Sequence, residues 1–414
     1  MKSLPSILAN PFFRKLFCAQ ILATFGTGLS SIALAQLAYH LSDRHAGKIL
    51  GIALVLKMVA YIFGAPLMSY LSAKIPNKSF MIIMDLIRML LLVSMFFVQA
   101  TWQIYLLIIL INLCSAGFTP TFQALIPTLF QKKADYTKAL SLSRMAYNLE
   151  SLLSPLLAAL LLFFVSFKLL FALNALTFLI SSLLIYSTPL KSSNNTVQSR
   201  GFGCLYDYLT IKPLLQGLLF IFIAALAGAM VIINTVVYIQ GAYHLSESIT
   251  ALTMAVFGIA SLITTVSIPT LSQYASSNKL MKCGALFCIG GFAIGILTPN
   301  LTGIFIIWFI LGIGASLIET LIGLTITENI TQEKQNNYFT AYFSLSHACW
   351  LSAYFITGWI GNQITMTKLI TLVIFNLSTL VFIGNTNKIA YTCQALSHQQ
   401  SSTKMIQDHY KKMP

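Results

Sequence analysis

The chain has 414 residues, of which 57% are hydrophobic and only 8% charged, with a mean hydropathy of +0.81. Soluble domains carry about a quarter charged residues, so this composition excludes a soluble enzyme, a secreted disulfide scaffold and a disordered chain, and leaves a polytopic membrane protein. Lys and Arg number 25 against 10 Asp and Glu, a formal +15; on a soluble protein that excess would point to nucleic acid, so the placement of the charges decides.

A helix needs ~20 mainly apolar residues to cross a bilayer. Twelve such runs follow one another. The first six are Leu16–Leu41, Ile49–Leu71, Phe80–Val98, Ile104–Ile126, Leu140–Val165 and Leu169–Tyr186. After a polar break come Leu214–Ile239, Ile249–Leu271, Met281–Leu297, Gly303–Ile326, Phe339–Ile360 and Leu369–Ile383. They are too long and too unbroken for barrel strands, so the expected class is an all-α membrane protein with twelve spans. With the N-terminus in the cytoplasm, nineteen basic residues, from Lys2, Arg14 and Lys15 to Lys404, Lys411 and Lys412, fall on that side. Only Arg44, Lys48, Lys168 and Lys368 fall opposite, and Lys57 and Arg88 lie inside spans. The positive-inside rule therefore puts both termini in the cytoplasm and supports an even span count. A cleaved signal peptide is disfavoured for the first run, since the run is long and keeping it makes the later charges agree.

Pro189–Pro213 is the longest interior break and separates six spans from six. The expected division is residues 1–188 as one half, 189–213 as a cytoplasmic loop, 214–385 as the second half and 386–414 as a cytoplasmic tail. A faint repeat links the halves: Pro66-x-x-Ser69-Tyr70 closes the second span and Pro269-x-x-Ser272-Gln273-Tyr274 the eighth, 203 residues on. Two such halves around a midplane site fit a secondary transporter. The seven cysteines form no CxxC and read as small buried hydrophobes. No Walker A pattern, catalytic carboxylate pair or HExxH occurs, so neither ATP hydrolysis nor another enzymatic activity is expected, and no cofactor.

Polar residues spaced to share one helix face mark three spans. The first has Gln20, Thr24, Thr27 and Ser31; the fourth has Asn112, Ser115, Thr119 and Gln123; the tenth has Gly312, Ser316, Glu319 and Gly323. In lipid such faces turn inward, toward small-residue packing or a hydrophilic path. Gln and Asn exceed what packing needs, so the first and fourth faces are expected to line a path, with Asn148, Ser316 and Ser344 from other spans. Four ionisable residues lie roughly 13–17 Å from a membrane surface at 1.5 Å per residue: Lys57, Glu150, Glu319 and His347. Charges at that depth are functional candidates by default. Glu150 and His347 are candidates to carry a proton, and Lys57 to balance a carboxylate or an anionic substrate; helix-holding ion pairs are the structural alternative. Asp85 and Arg88, at i and i+3, read as a structural pair or part of a gate. His347 and Cys349 point about 200° apart on a helix and cannot share one metal ion.

The local strings carry a resemblance. Ser69-Tyr70-Leu71-Ser72-Ala73-Lys74-Ile75-Pro76-Asn77-Lys78 resembles the loop signature of the major facilitator transporters. Lys74 and Lys78 keep its basic positions, while Ser69 and Ala73 replace its Gly and Asp. Ser154-Pro155-Leu156-Leu157-Ala158-Ala159 resembles the Gly-Pro-x-x-Gly-Gly element of antiporter-type members, with Pro155 kept. Asn10-Pro11-x-Phe13-Arg14-Lys15, Phe118-Thr119-Pro120-Thr121-Phe122-Gln123-Ala124, the run from Tyr136 through Arg144 to Ser151, and Phe343-Ser344-Leu345-Ser346-His347-Ala348-Cys349-Trp350 together resemble the nickel-resistance (NreB-type) branch of the drug- and siderophore-exporting facilitators. The resemblance implies a twelve-helix facilitator fold in a bacterial inner membrane, with lipid, a small solute and protons as partners, no nucleic acid, and a monomer. It implies proton-driven export of a divalent cation, with a siderophore or other amphipathic solute as the alternative. The tail lacks the His-rich tract of some members.

Overall fold

The structure is a computed structural model and describes residues 5–41, 46–130, 132–189, 200–295 and 300–357. Six helices make up the first half: α1 (Pro11–Leu41), α2 (Ala46–Ser72), α3 (Asn77–Met95), α4 (Thr101–Leu125), α5 (Lys133–Leu162) and α6 (Phe167–Tyr186). A short helix, α7 (Gly203–Thr210), precedes α8 (Lys212–Val236), α9 (Glu247–Tyr274), α10 (Ser277–Gly295), α11 (Leu301–Asn329) and α12 (Gln335–Phe355). Eleven of the twelve expected spans thus coincide with a described helix, and the twelfth, Leu369–Ile383, lies outside the described residues. Seven of the helices are long and apolar enough to cross a membrane on those grounds alone. The other four spans, α3, α5, α10 and α12, are the more polar ones, and three of them carry Asp85 and Arg88, Arg144 and Glu150, and His347.

Local chemistry sets the helix ends. Asn10 caps α1, its Oδ1 accepting from the Phe12 and Phe13 amides at 3.0 and 3.2 Å, with Pro11 at the first helical position. Asn300 does the same for α11 through Gly303 N, at 2.9 Å. Gln103 Oε1 takes the Gln99 and Ala100 amides ahead of α4. The central break differs from the expected plain loop, because α7 forms within it. Its Cys204 and Tyr208 are buried in a small core with Leu214, Leu218 and Phe339, and it packs on α8 and α12. Eight residues in a polar stretch are too few to show helical periodicity in the sequence.

In the first half, α1 packs on α6 and α5, α3 on α6 and α4, and α2 on α4. The second half repeats this scheme: α8 packs on α12, α10 on α11, and α9 on α11. The halves meet along two seams, α2 with α12 and α5 with α9, and α12 also reaches α4 while α11 reaches α5. Tight approaches rely on glycine: a Cβ on Gly312 would strike the Phe257 carbonyl of α9, and one on Gly314 the Cys288 Sγ of α10. Alternating helix directions gather the basic loops at one end, called the basic end here. There Lys15 Nζ and Lys78 Nζ donate to the Ser187 and Thr188 carbonyls beyond α6, each at 2.8 Å, cations at the negative end of a helix. Two cysteines differ from the buried expectation: Cys18 and Cys283 are exposed at the protein surface.

Candidate functional site

Three of the four ionisable residues expected at mid-depth share one neighbourhood. Lys57 of α2 lies within electrostatic reach of Glu150 on α5 and of His347 on α12. One turn along α2 from Lys57, Tyr61 stacks edge-on against His347 at 4.5 Å between ring centroids and against Phe343 at 5.1 Å. The Lys57 Nζ sits 5.7 Å from the Tyr61 ring centre. His347 Nδ1 is 2.7 Å from the Phe343 carbonyl. A carbonyl only accepts, so Nδ1 carries the hydrogen and a neutral ring leaves Nε2 as an acceptor. Glu150 fits where it does because Gly28 of α1 has no side chain: a Cβ there would collide with Glu150 Oε1 and Ser154 Oγ. Sequence reasoning missed Tyr61, since a tyrosine in an apolar helix carries no signal of its own.

The fourth, Glu319 of α11, pairs instead with Arg144 of α5 across the two halves. Both line a cavity of about 120 Å³ between the halves. Gln20, Gln123, Ser143 and Thr320 supply its other polar groups, and Phe122, Tyr147, Phe339 and Tyr342 its aromatic walls. Tyr147 lines the cavity and sits on α5 midway between the two neighbourhoods, three residues from both Arg144 and Glu150. Further contacts join the halves. Asn148 Nδ2 donates to Thr265 Oγ1 at 3.3 Å, and within the second half Thr265 Oγ1 meets Ser316 Oγ at 2.7 Å. Ser344 Oγ donates to the Ile62 carbonyl. Lys133 pairs with Glu328 at 2.5 Å, and Asn336 Nδ2 reaches Ser72 Oγ at 3.5 Å.

The remaining expected site residues divide. Of the α1 stripe, Gln20 reaches the cavity, while Thr24, Thr27 and Ser31 donate to the carbonyls four residues back, at 2.7, 2.8 and 3.0 Å. Thr27 and Ser31 are exposed, so those hydroxyls satisfy themselves on their own helix. Of the α4 stripe, Gln123 lines the cavity, Thr119 is half-buried, and Asn112 is buried with its amide on the Ile108 carbonyl. Ser115 accepts from Arg88 of α3 at 3.4 Å and so serves the interior of the first half. Arg88 also pairs with Asp85 and lies 4.4 and 4.2 Å from the ring centres of Phe118 and Phe178. Ser181 of α6 donates to Asp85 Oδ2 at 2.7 Å. Every partner of this pair is in the first half, so it binds α3, α4 and α6 together and does not span the halves. Lys74 sits 4.3 Å from the Tyr70 ring centre. Pro155 lies in α5, and its side chain is outside those described. Among the described residues no group of three or more His, Cys, Asp or Glu side chains converges to hold a metal ion.

The profile of the Major Facilitator Superfamily matches residues 16–384. The chain belongs to this superfamily. Among solved structures, this facilitator is similar to the crystal structure of the human organic anion transporter MFSD10 (TETRAN), at a TM-score of 0.72 and 11% identity, covering 88% of this chain and 98% of that one. It is also similar to a bacterial homologue of the iron transporter ferroportin in its outward-facing state, at a TM-score of 0.70 and 14% identity, covering 91% and 98%. At these identities the likeness shows the fold. No curated protein sequence matches the chain. The facilitator is a multi-pass membrane transporter and not an enzyme.

Proposed function

We propose that this facilitator is a secondary transporter that works by alternating access and exports a divalent cation of the nickel type in exchange for protons, across a bacterial inner membrane with both termini in the cytoplasm. The observation that carries the coupling is the Tyr61 ring of α2, which packs on His347 of α12 at 4.5 Å and has the Lys57 ammonium 5.7 Å from its centre. Protonating Glu150 or His347 changes the charge balance at the α2–α12 seam, where the halves must part. Deprotonated, Glu150 offers a carboxylate oxygen and His347 its Nε2, both ligand types for a borderline dication. The substrate class rests on the resemblance of the Tyr136–Ser151 and Phe343–Trp350 strings to the nickel-resistance branch. In this reading the basic end is the cytoplasmic end, closed by Arg144–Glu319 and Lys133–Glu328.

A second reading, transport of a small organic solute, is favoured by the aromatic and amide lining of the cavity around Arg144. Transport into everted vesicles distinguishes the two, with nickel, cobalt and iron run beside a siderophore. Proton movement that depends on the metal is expected. Its absence for every metal, with transport of the siderophore, would overturn the metal reading. Glu150→Gln and His347→Ala are each expected to slow transport; wild-type rates in both would overturn the coupling assignment.

A further inference from the structure

Five buried polar atoms on residues lining the cavity have no hydrogen-bond partner: Gln20 Oε1, Gln123 Oε1, Ser143 Oγ, Arg144 Nε and Thr320 Oγ1. Ser143 and Thr320 are only 9% and 3% exposed. Buried polar groups are nearly always satisfied, so five orphans around one cavity point to an occupant. Arg144 Nε–H can only donate and Gln123 Oε1 can only accept, while the two hydroxyls do both. The occupant must therefore present acceptors and donors together. The charged lining is one guanidinium and one carboxylate, Arg144 and Glu319, which favours neither a net anion nor a net cation. A volume of about 120 Å³ holds roughly ten water-sized groups at ~10–15 Å³ each.

We propose that this cavity binds a free zwitterionic aminocarboxylate of about ten non-hydrogen atoms, with the carboxylate on Arg144 and the amine toward Gln123 and Glu319. Guanidinium forks match carboxylates in geometry and charge, and the second guanidinium nitrogen stays on Glu319. The aromatic walls, Phe122 and Tyr342 among them, cover the rest of the molecule. The proposal rests on the transport reading above and names the substrate chemistry of its second form.

The test is calorimetric titration of the full chain in nanodiscs. The probes are L-histidine, L-glutamine, histamine (no carboxylate), imidazole propionate (no amine), nickel chloride alone and a preformed nickel–histidine chelate. Binding of a zwitterion is expected, with histamine and imidazole propionate about tenfold weaker or worse, the effect of one lost charge-assisted hydrogen bond. Binding of the nickel–histidine chelate without binding of either free amino acid would overturn the proposal. Arg144→Gln is expected to abolish binding. Gln123→Leu, which leaves the inter-half ion pair intact, is expected to weaken it about tenfold, with its unliganded melting temperature as the control for folding. No heat with either zwitterion, histamine as tight as histidine, or binding unchanged by Gln123→Leu would each overturn the proposal. Nickel binding alone would overturn it and leave the metal reading standing. Reconstituted wild-type protein that moves no solute would instead overturn the transport reading, whatever the titrations show.

Discussion

Ser344 of α12 donates its hydroxyl to the Ile62 carbonyl of α2, the acceptor that Pro66, four residues on, has no N–H to fill. The other seam uses a different atom. Pro269 lies in α9, 203 residues beyond Pro66, and the Thr265 hydroxyl, four residues before it, accepts from Asn148 of α5. At both seams the opposite half docks within about one turn of a proline. Ser344→Ala is expected to destabilise the protein by ~0.6–1 kcal/mol. In a Pro66→Ala background, where residue 66 regains its N–H, the same change is expected to cost almost nothing. Thermal unfolding in detergent completes the double-mutant cycle; equal losses in both backgrounds would refute the pairing.

Gly28→Ala forces a methyl against the Glu150 carboxyl and Ser154 Oγ. Overpacking of this kind costs ~1–3 kcal/mol, so transport is expected to fall about tenfold or more as Glu150 leaves its place near Lys57. Gly51→Ala is the control, since a Cβ there meets nothing within 4 Å. Vesicle transport normalised to protein content reads both, and a wild-type rate for Gly28→Ala argues against the placement of Glu150.

The Asp85–Arg88 pair is nearly free of solvent, its side chains 0% and 6% exposed. Asp85→Ala strands a buried guanidinium and is expected to cost ~3–5 kcal/mol, whereas Asp85→Ala with Arg88→Leu should cost less, because no lone charge is left. Melting temperatures of the two variants decide; a double variant weaker than the single would contradict this account.

Two ion pairs between the halves should behave differently. Lys133 and Glu328 are 58% and 35% exposed, against 29% and 11% for Arg144 and Glu319. Lys133→Ala is expected to cost ~1 kcal/mol or less, and salt should erase the loss. Glu319→Gln is expected to cost more and to resist salt. Unfolding at low and high ionic strength separates them, and a salt-sensitive Glu319→Gln effect would place that pair in water.

Burial pushes the Cys204 thiol of α7 up to about 12. At neutral pH it is therefore almost wholly protonated and poorly nucleophilic. A variant keeping Cys204 as its sole cysteine is expected to react with maleimide only after unfolding. Labelling of the native protein as fast as a variant keeping only the exposed Cys18 would mean that α7 does not dock on α8 and α12.

Run length and charge bias were enough to read the helical architecture, because a span needs ~20 apolar residues whatever surrounds it. The helical rise alone was enough to single out Lys57, Glu150, Glu319 and His347 as residues well inside their helices. What the chain order hides is partnership. Arg144 and Glu319 stand 175 residues apart, and nothing local ties one to the other. The α4 stripe misled in part: a face shared along one helix does not say which neighbour it meets, and Ser115 meets Arg88. The α7 helix was invisible because it is too short for its periodicity to rise above the polar loop.

The locks of the first half have a consequence for the order of synthesis. Lys15 and Lys78 on the end of α6, and Ser181 on Asp85, join residues that have all been made by position 188. At ~5–20 residues per second the rest of the chain takes ~10–45 s to follow. During that interval the first six helices can close on one another with Asp85 and Arg88 paired, while Arg144 waits for Glu319 and the Ile62 carbonyl for Ser344. A stalled or truncated chain would therefore be a sealed half with one bare flank, ready to capture its missing partner or to be recognised for removal.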